Sequence, residues 1–424
     1  MLGKTFLMKR SATLVLLAFG VLLGTAWAQT ESVLYSFCAE LNCTDGAGPV
    51  AGVVFDQNGN LYGTTEWGGN NGCYPTSCGV VFKLTPEGHE TVLYSFCAQA
   101  DCADGAQPAA GVIFDQDGNL YGTTLYGGTH GNGVIFKLTP GGQETVLHSF
   151  CAWNGCADGG VPYAGLVLDQ KGNLYGTTLR GGAHNSALCE SYGCGVVFKL
   201  TPEGKYRVLY SFCAQANCAD GAQPLAGVVF DQEGHLYGTT SWGGAHVYGT
   251  VFTLGPNSKE TVLYSFCTEN NCADGQTPSA GLVLDQNGNL YGTTTTGGYS
   301  GGFGTVFKLT PNGNETVLYS FCVQSYCPDG DVPSAALVLD RKGNLYGTAS
   351  GGGGYNINCA LGCGVSFKLT PQGKETVLHS FCAQTNCTDG AEPKAGLASD
   401  HHGHLYGTTV YGGRGAGVVF KLAP

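Results

Sequence analysis

The chain has 424 residues with 31 acidic against 19 basic side chains, a formal net charge of −12. An acidic balance without a basic run lacks the electrostatic footprint of a nucleic-acid binder and disfavours an anionic membrane surface. Glycine supplies 70 residues, but they recur at fixed places, as turns do between short strands, and helix-period stretches are absent beyond the first residues. The class these features define is all-β.

Residues 1–28 read as a secretory signal peptide. Lys4, Lys9 and Arg10 form a basic start, Ala12 to Leu23 a short apolar run, and Ala26-Trp27-Ala28 a small-x-small cleavage site. The run is short for a bilayer span, and the first cysteine, Cys38, lies too far from the cleavage point for lipid attachment there. Removing the leader takes the formal charge to about −15. No second apolar stretch of spanning length follows, and the end, Phe420 to Pro424, carries neither an apolar nor a sorting tail. The mature chain, 29–424, is therefore expected to be one exported domain, secreted or periplasmic, monomeric and without membrane insertion.

From there the sequence repeats. Val-Leu-Tyr/His-Ser-Phe-Cys begins at Val33, Val92, Val146, Val208, Val262, Val317 and Val377. Leu-Tyr-Gly-Thr begins at Leu61, Leu120, Leu174, Leu236, Leu290, Leu345 and Leu405, and a Gly-Val/Thr-x-Phe string at Gly79, Gly133, Gly195, Gly249, Gly304, Gly364 and Gly417. A period of this length marks stacked supersecondary units. Each unit reads as four strands. In the first, strand a is Gly52 to Asp56, b Leu61 to Thr65, c Gly79 to Leu84 and d Thr91 to Phe96. The turns Gln57-Asn58-Gly59 and Thr85-Pro86-Glu87-Gly88 carry hairpin chemistry. Four short antiparallel strands per unit, repeated seven times, predict a seven-bladed β-propeller.

The ends sharpen that expectation. Ser32 to Phe37 is a d strand with no a, b and c before it, and Leu422 closes a c strand with no d after it. The first strand should complete the last blade and remove an exposed edge.

All twenty cysteines fall into neighbouring pairs. Seven pairs are C-x4-C after strand d: Cys38 and Cys43, Cys97 and Cys102, Cys151 and Cys156, Cys213 and Cys218, Cys267 and Cys272, Cys322 and Cys327, Cys382 and Cys387. Three more lie in b–c loops: Cys73 and Cys78, Cys189 and Cys194, Cys359 and Cys363. In an exported chain they read as disulfides that pin loops. Zinc is the rival, but it needs two pairs to converge, whereas these recur once per blade.

Alternating strand direction places the short a–b and c–d turns on one face and the long b–c and d–a loops on the other. Function tends to sit on loops held by a rigid scaffold. Before the Gly-Gly of each b–c loop stand Trp67, Tyr126, Arg180, Trp242, Thr296, Gly351 and Tyr411. Trp67, Tyr126, Arg180, Trp242 and Tyr411 are the candidate ligand-binding residues, able to stack on sugar rings or anchor a protein; the alternative is packing between blades. His130, His184 and His246 follow Gly-Gly-x in three blades, but equivalent positions on packed sheets start roughly 10 Å apart, too far for a shared metal. Asp45, Asp104, Asp158, Asp220, Asp274, Asp329 and Asp389 precede glycine in the d–a loops and read first as turn formers, with a cation-binding ring as the alternative. The a–b turns place Lys171 and Lys342 where a calcium loop needs oxygen. Neither metal nor cofactor is expected.

No His-Glu-x-x-His pair or phosphate-cradling loop is present, and the one Gly-x-Ser-x-Gly string, Gly298 to Gly302, lies in a glycine-rich b–c loop rather than on the strand-to-helix turn of a nucleophile elbow. A propeller enzyme would draw on several blades, with His130, His184, His246, Arg180 and Glu190 as the residues to watch at the channel mouth.

The unit DQNGNLYGTTEWGG followed by GVVFKLTPEGHETVLYSF resembles the bacterial GloVer (Gloeo/Verruco) repeat across all seven copies. That resemblance implies an exported protein, often anchored at its C-terminus, with no established activity; this chain departs by ending without the anchor. More distantly the units resemble propeller repeats of secreted lyases and lactonases, a likeness of fold, and fold does not fix function. The expectation is a non-enzymatic binding scaffold taking a glycan or an envelope or extracellular protein on the b–c/d–a face. The alternatives are a propeller hydrolase or lyase and a purely structural envelope component.

Overall fold

In the computed structural model, which describes residues 31–70, 78–190, 192–299, 301–354, 359 and 362–423, the repeat becomes four hydrogen-bonded strands. The leader, residues 1–28, lies outside the described residues. Blade one is β2 (Val54–Phe55), β3 (Leu61–Thr65), β4 (Val80–Leu84) and β5 (Glu90–Ser95), paired in that order. Blades two, five and six repeat it as β6–β9 (113–149), β18–β21 (283–320) and β22–β25 (338–380). Blade three is β10 (Val167–Leu168), β11 (Leu174–Thr178), β12 (Val196–Leu200) and β13 (Tyr206–Ser211), and blade four is β14 (Val229–Phe230), β15 (Leu236–Thr240), β16 (Thr250–Leu254) and β17 (Glu260–Ser265). Seven such sheets make a seven-bladed β-propeller.

The seventh blade is β26 (Ala398–Ser399), β27 (Leu405–Thr409), β28 (Val418–Leu422) and then β1 (Glu31–Ser36). Glu31 stands opposite Leu422 and Ser36 opposite Val418, with one bulge between Val33 and Tyr35. The N-terminal strand thus closes the ring.

Strand a is shorter than the apolar run that encodes it. Only Val54 and Phe55 pair, with Tyr62 and Leu61, because the segment before them crowds the axis. A Cβ on Gly52 would stand 2.8 Å from the Gly396 carbonyl oxygen, and one on Gly111 3.0 Å from that of Gly52. Glycine is required there by close approach of backbone to backbone. Strand d begins one residue earlier than its sequence pattern, at Glu90, and ends at Ser95; Phe96 still donates its N–H to the Gly79 carbonyl.

Each seam between blades carries the same two fastenings. The first is an edge-on pair of buried phenylalanines: Phe96 meets Phe136 at 5.0 Å between ring centres, and Phe37 meets Phe82 at 5.1 Å across the closing seam. The second is a threonine hydroxyl of strand b that donates to an alanine carbonyl at the start of the next blade. It recurs from Thr64→Ala110 through Thr239→Ala280 to Thr408→Ala51, at 2.9, 3.1 and 2.9 Å in those three seams. Both groups are buried, so the valine isostere at Thr239 leaves the Ala280 carbonyl without a donor. Thr239→Val is expected to cost about 1–3 kcal/mol, read from urea unfolding midpoints.

The a–b turns are closed by one aspartate each. Asp56 accepts the N–H of Asn58 and Asn60, the Asn60 amide and the Tyr62 hydroxyl. Burial pushes this carboxyl up, but those four donors outweigh it and hold its pKa below the ordinary value. Asp400 does the same with His402, His404 and Tyr406. Both oxygens are committed within the turn.

Candidate functional site

The opposite face is built from the b–c and d–a loops. Each d–a loop opens with a cysteine pair at positive φ, 60° at Cys38 and 54° at Cys43, a conformation that costs non-glycine residues roughly 1–2 kcal/mol. A disulfide joins Cys38 to Cys43. The equivalent bridges join Cys97 to Cys102, Cys151 to Cys156 and Cys213 to Cys218. The last three blades in chain order join Cys267 to Cys272, Cys322 to Cys327 and Cys382 to Cys387. In the b–c loops Cys189 is bridged to Cys194 and Cys359 to Cys363. The pair of Cys73 and Cys78 falls partly outside the described residues, at Cys73; no described cysteine is free.

Two places bring a third sulfur close to a bridge. Cys194 approaches Cys213 and Cys218, and Cys382 approaches Cys359 and Cys363, with the sulfurs of each trio within 4.8 Å of one another. Every one of those sulfurs is already bonded to its partner, and a metal ligand must be a thiolate. Cys102, Cys156, Cys272, Cys327 and Cys387 join no such trio among the described residues. Each of them closes the bridge that holds its d–a loop. The cysteines serve as staples, as their spacing predicts.

The Asp-Gly carboxylates are structural. Asp104 is wholly buried and accepts the N–H of Ala98 and Gln99 from its own loop together with the Tyr94 hydroxyl. Asp220 repeats this with Ala214, Gln215 and Tyr210, and Asp389 with Ala383, Gln384 and His379. They form turns, the first of the two readings of the sequence.

The d–a loop then runs across two blades. Ala106 exchanges both backbone hydrogen bonds with Tyr126 of the blade it enters, while Gln107 donates to the Cys78 carbonyl of the blade it leaves. The same bridge fixes Trp67 to Ala47, Arg180 to Gly160, Trp242 to Ala222 and Tyr411 to Ala391. All five candidate ligand-binding residues therefore occupy one equivalent, rigidly held position around the ring. Their side chains differ in environment. Tyr126, Trp242 and Tyr411 are exposed. Trp67 is half-buried and lies over Gly48, where an added Cβ would come within 2.5 Å of its ring. Arg180 stacks on the Tyr192 ring at 4.7 Å.

His130, His184 and His246 remain on separate exposed loops. The His130 ring meets the Thr129 hydroxyl and its carbonyl accepts from the Asn132 amide, and among the described residues no hydrogen bond or ion pair joins these histidines to one another, to Arg180 or to Glu190. The convergence an enzymatic site would need is not formed by these groups. In the a–b turn of blade four, Asp231, Glu233 and His235 gather at metal-ligand distances, but both Asp231 oxygens are already taken by His235, the Glu233 N–H and Tyr237.

Two features escaped the sequence reading. On the loop face Glu66, Tyr163 and Lys394 interact: burial raises the Glu66 carboxyl with Lys394 opposing, and the Tyr163 hydroxyl is raised by its own burial and by Glu66, although the residue as a whole is 44% exposed. Lys394 also pairs with Glu392 at 3.4 Å. These residues come from blades one, three and seven, so no local motif announces them. The second is the distribution of exposed apolar side chains. Thirteen large ones are exposed among the described residues, and every one except Val33 lies in a b–c or d–a loop. Nine of those twelve are Tyr or Trp, led by Tyr326 at 73%, Tyr299 at 72% and Tyr192 at 61% exposure.

Fold and loop face together define a disulfide-stapled seven-bladed propeller with one aromatic face. The chain belongs to the Gloeobacter/Verrucomicrobia repeat family, whose model matches residues 20–189 and 187–420. No curated protein matches it by sequence. Among solved structures it is similar to PorZ, described as a bacterial surface component of the type-IX secretion system of Porphyromonas gingivalis. The identity is 14% and the TM-score 0.54, over 87% of this chain and 46% of PorZ. It is also similar to a puromycin hydrolase at 12% identity and TM-score 0.51, over 90% of this chain and 52% of the hydrolase. The chain spans about half the length of each, and at such identities the likeness is one of fold.

Proposed function

We propose that the protein is an exported, non-enzymatic binding propeller that takes an extracellular or envelope glycan or protein on its b–c/d–a face. The observation that carries this reading is the one-sided exposure of Tyr and Trp on that face. Water penalises exposed apolar area, and its concentration on one face of the ring is what an interaction surface requires. Tyrosine and tryptophan in particular offer large contact area with few rotatable bonds and a polar edge, the composition of binding surfaces. Disulfide-fixed loops lower the ordering cost on binding. The disulfides also fit an oxidising compartment, and no helix among the described residues is long and apolar enough to cross a membrane.

A glycan array and a cell-envelope pulldown identify the ligand, and a double variant carrying Trp242→Ala and Tyr411→Ala tests the face. Both side chains are exposed and their backbones carry the loop bridges, so the melting temperature should hold. Binding should weaken by roughly tenfold or more. Unchanged binding by this variant removes the aromatic face from the argument, and catalytic turnover of a captured glycan returns the hydrolase or lyase reading.

A further inference from the structure

We propose a second, separate site on the other face: the groove between blades three and four binds an organic anion with a ring-sized apolar body, its charged head held by Arg207, Lys199 and Lys171. The groove is bounded by the a–b and c–d turns and has a cavity volume of about 640 Å³, within the range of small-molecule sites.

The motivating feature is a break in the repeat. In six blades the outer strand begins with Glu followed by Thr or Ser; in blade three it begins Tyr206-Arg207. Register places Arg207 directly opposite Lys199 on the neighbouring strand. Elsewhere the equivalent lysine faces a small hydroxyl residue, as Lys83 faces Thr91 and Lys308 faces Thr316. Like charges set directly opposite one another destabilise a sheet, so this pair is a local cost that a bound anion would offset. Lys171, from the a–b turn of the same blade, lines the groove as a third cation.

None of the three is neutralised by an ion pair among the described residues, although Lys199 lies over the Tyr175 ring at 5.1 Å. Asp169 and Asp231 border the groove, but their oxygens are taken up by their own turns. Glu233 is 80% exposed and sits 3.8 Å from His235.

The facing wall has also changed. Blade four holds Gly255 where blades one, two, three, five and six hold Thr85, Thr139, Thr201, Thr310 and Thr370, and Thr253 where its neighbours hold lysine. The wall is thus lowered and stripped of its own cation, while the half-buried Leu168, Leu209 and Phe230 supply apolar surface. Two adjacent blades depart from the repeat at the one groove they share. A guanidinium beside two ammonium groups suits a carboxylate or phosphate head, and the apolar surface suits a ring attached to it.

Calorimetric titration of the intact chain tests this with phenyl phosphate, phenylacetate, inorganic phosphate (head alone) and phenol (ring alone). The expected result is a single equivalent of phenyl phosphate or phenylacetate bound per chain, with the two arms reporting which head is preferred. Inorganic phosphate should bind more weakly and phenol not at all. Arg207→Thr installs the residue that most other blades carry, so the fold should be unaffected while affinity falls roughly tenfold or more. Gly255→Thr should weaken binding by refilling the wall. The site is overturned if neither ring-bearing anion binds, if several equivalents bind per chain, or if Arg207→Thr binds as well as the parent at an unchanged melting temperature.

Discussion

A chain that begins at Cys38, and so lacks β1, is expected to lose cooperative folding rather than a fraction of its stability. The loss has three parts at one place. β28 gives up its outer partner along the whole ladder from Glu31–Leu422 to Ser36–Val418, leaving an unpaired edge. Phe37, fully buried among Val53, Leu61, Phe82 and Val419, disappears from the closing seam; truncating one such phenylalanine alone costs about 3–5 kcal/mol. The disulfide loop from Cys38 to Cys43 then has no strand to anchor it. Together these approach the whole net stability of a domain, about 5–15 kcal/mol. Circular dichroism melts of the truncated chain should lack the parent transition. Adding a synthetic peptide of residues 29–37 should restore part of it by strand addition. A truncated chain that melts like the parent would falsify closure by β1.

The second large effect is a dependence of stability on pH. Glu31, Glu90, Glu144, Glu260, Glu315 and Glu375 begin the outer strands of six blades, and each has a buried carboxyl oxygen without a partner. Each also lies near the Asp-Gly carboxylate of the preceding blade. For Glu315 the facing groups are Asp274 and Glu269, with Tyr264 alongside. Burial first, and then the charge of Asp274 and Glu269, pushes its pKa up to about 8. Burial and a neighbouring aspartate push Glu90, Glu144, Glu260 and Glu375 up to about 7. Glu31 is raised by burial, with His379 opposing.

A carboxyl raised above its unfolded value binds its proton more tightly in the folded state. Its contribution is complete below pH 4.5, the ordinary glutamate value, and is lost as pH climbs through 7 to 8. Asp158 and Asp389 act in the opposite sense: burial raises them, but the histidine partner and loop N–H groups outweigh it and hold both below the ordinary value. Their contribution is lost at acid pH, below the range where the glutamates act. The melting temperature is therefore expected to fall by several degrees between pH 5.5 and 8.5. The glutamates are only half-buried, so solvent screening reduces the effect of each. Glu315→Gln should raise the melting temperature at pH 8.5 and leave it nearly unchanged at pH 5.5. A flat profile for the parent chain would remove these carboxyls as stability determinants.

How much of this could be read from sequence differs by the range of the interaction. Strand b was legible residue by residue and strand c to within one residue, starting at Val80 instead of Gly79, because both are short local strings that recur in all seven copies. Closure was legible from an orphan d strand and an orphan c strand. Strand a was overestimated because its apolar pattern continues into a segment where backbone crowding at the axis prevents pairing. The seam carboxyls were missed since Glu90 follows a hairpin turn, where glutamate ordinarily meets water. What buries it is the preceding blade, blade seven, whose contact is visible where Gly88 would place a Cβ 2.9 Å from the Leu34 carbonyl. The groove was missed for a related reason: Arg207 reads as one more surface cation until register sets it against Lys199 and the seam sets both against Gly255. The aromatic positions were found as a variable column, but Tyr192, Tyr299 and Tyr326 lie outside that column and only the folded loops place them on the same face.

The pairing of Glu31 with Leu422 has a mechanical consequence. The entry of β1 and the exit of β28 lie at the same end of an antiparallel ladder, so tension applied between the two ends pulls the strands apart like a zip. The load falls on one pair at a time, beginning with Glu31–Leu422, and never on the whole ladder in shear. The fastening that holds the ring shut against heat and denaturant is thus also its point of least resistance to a pull along the chain.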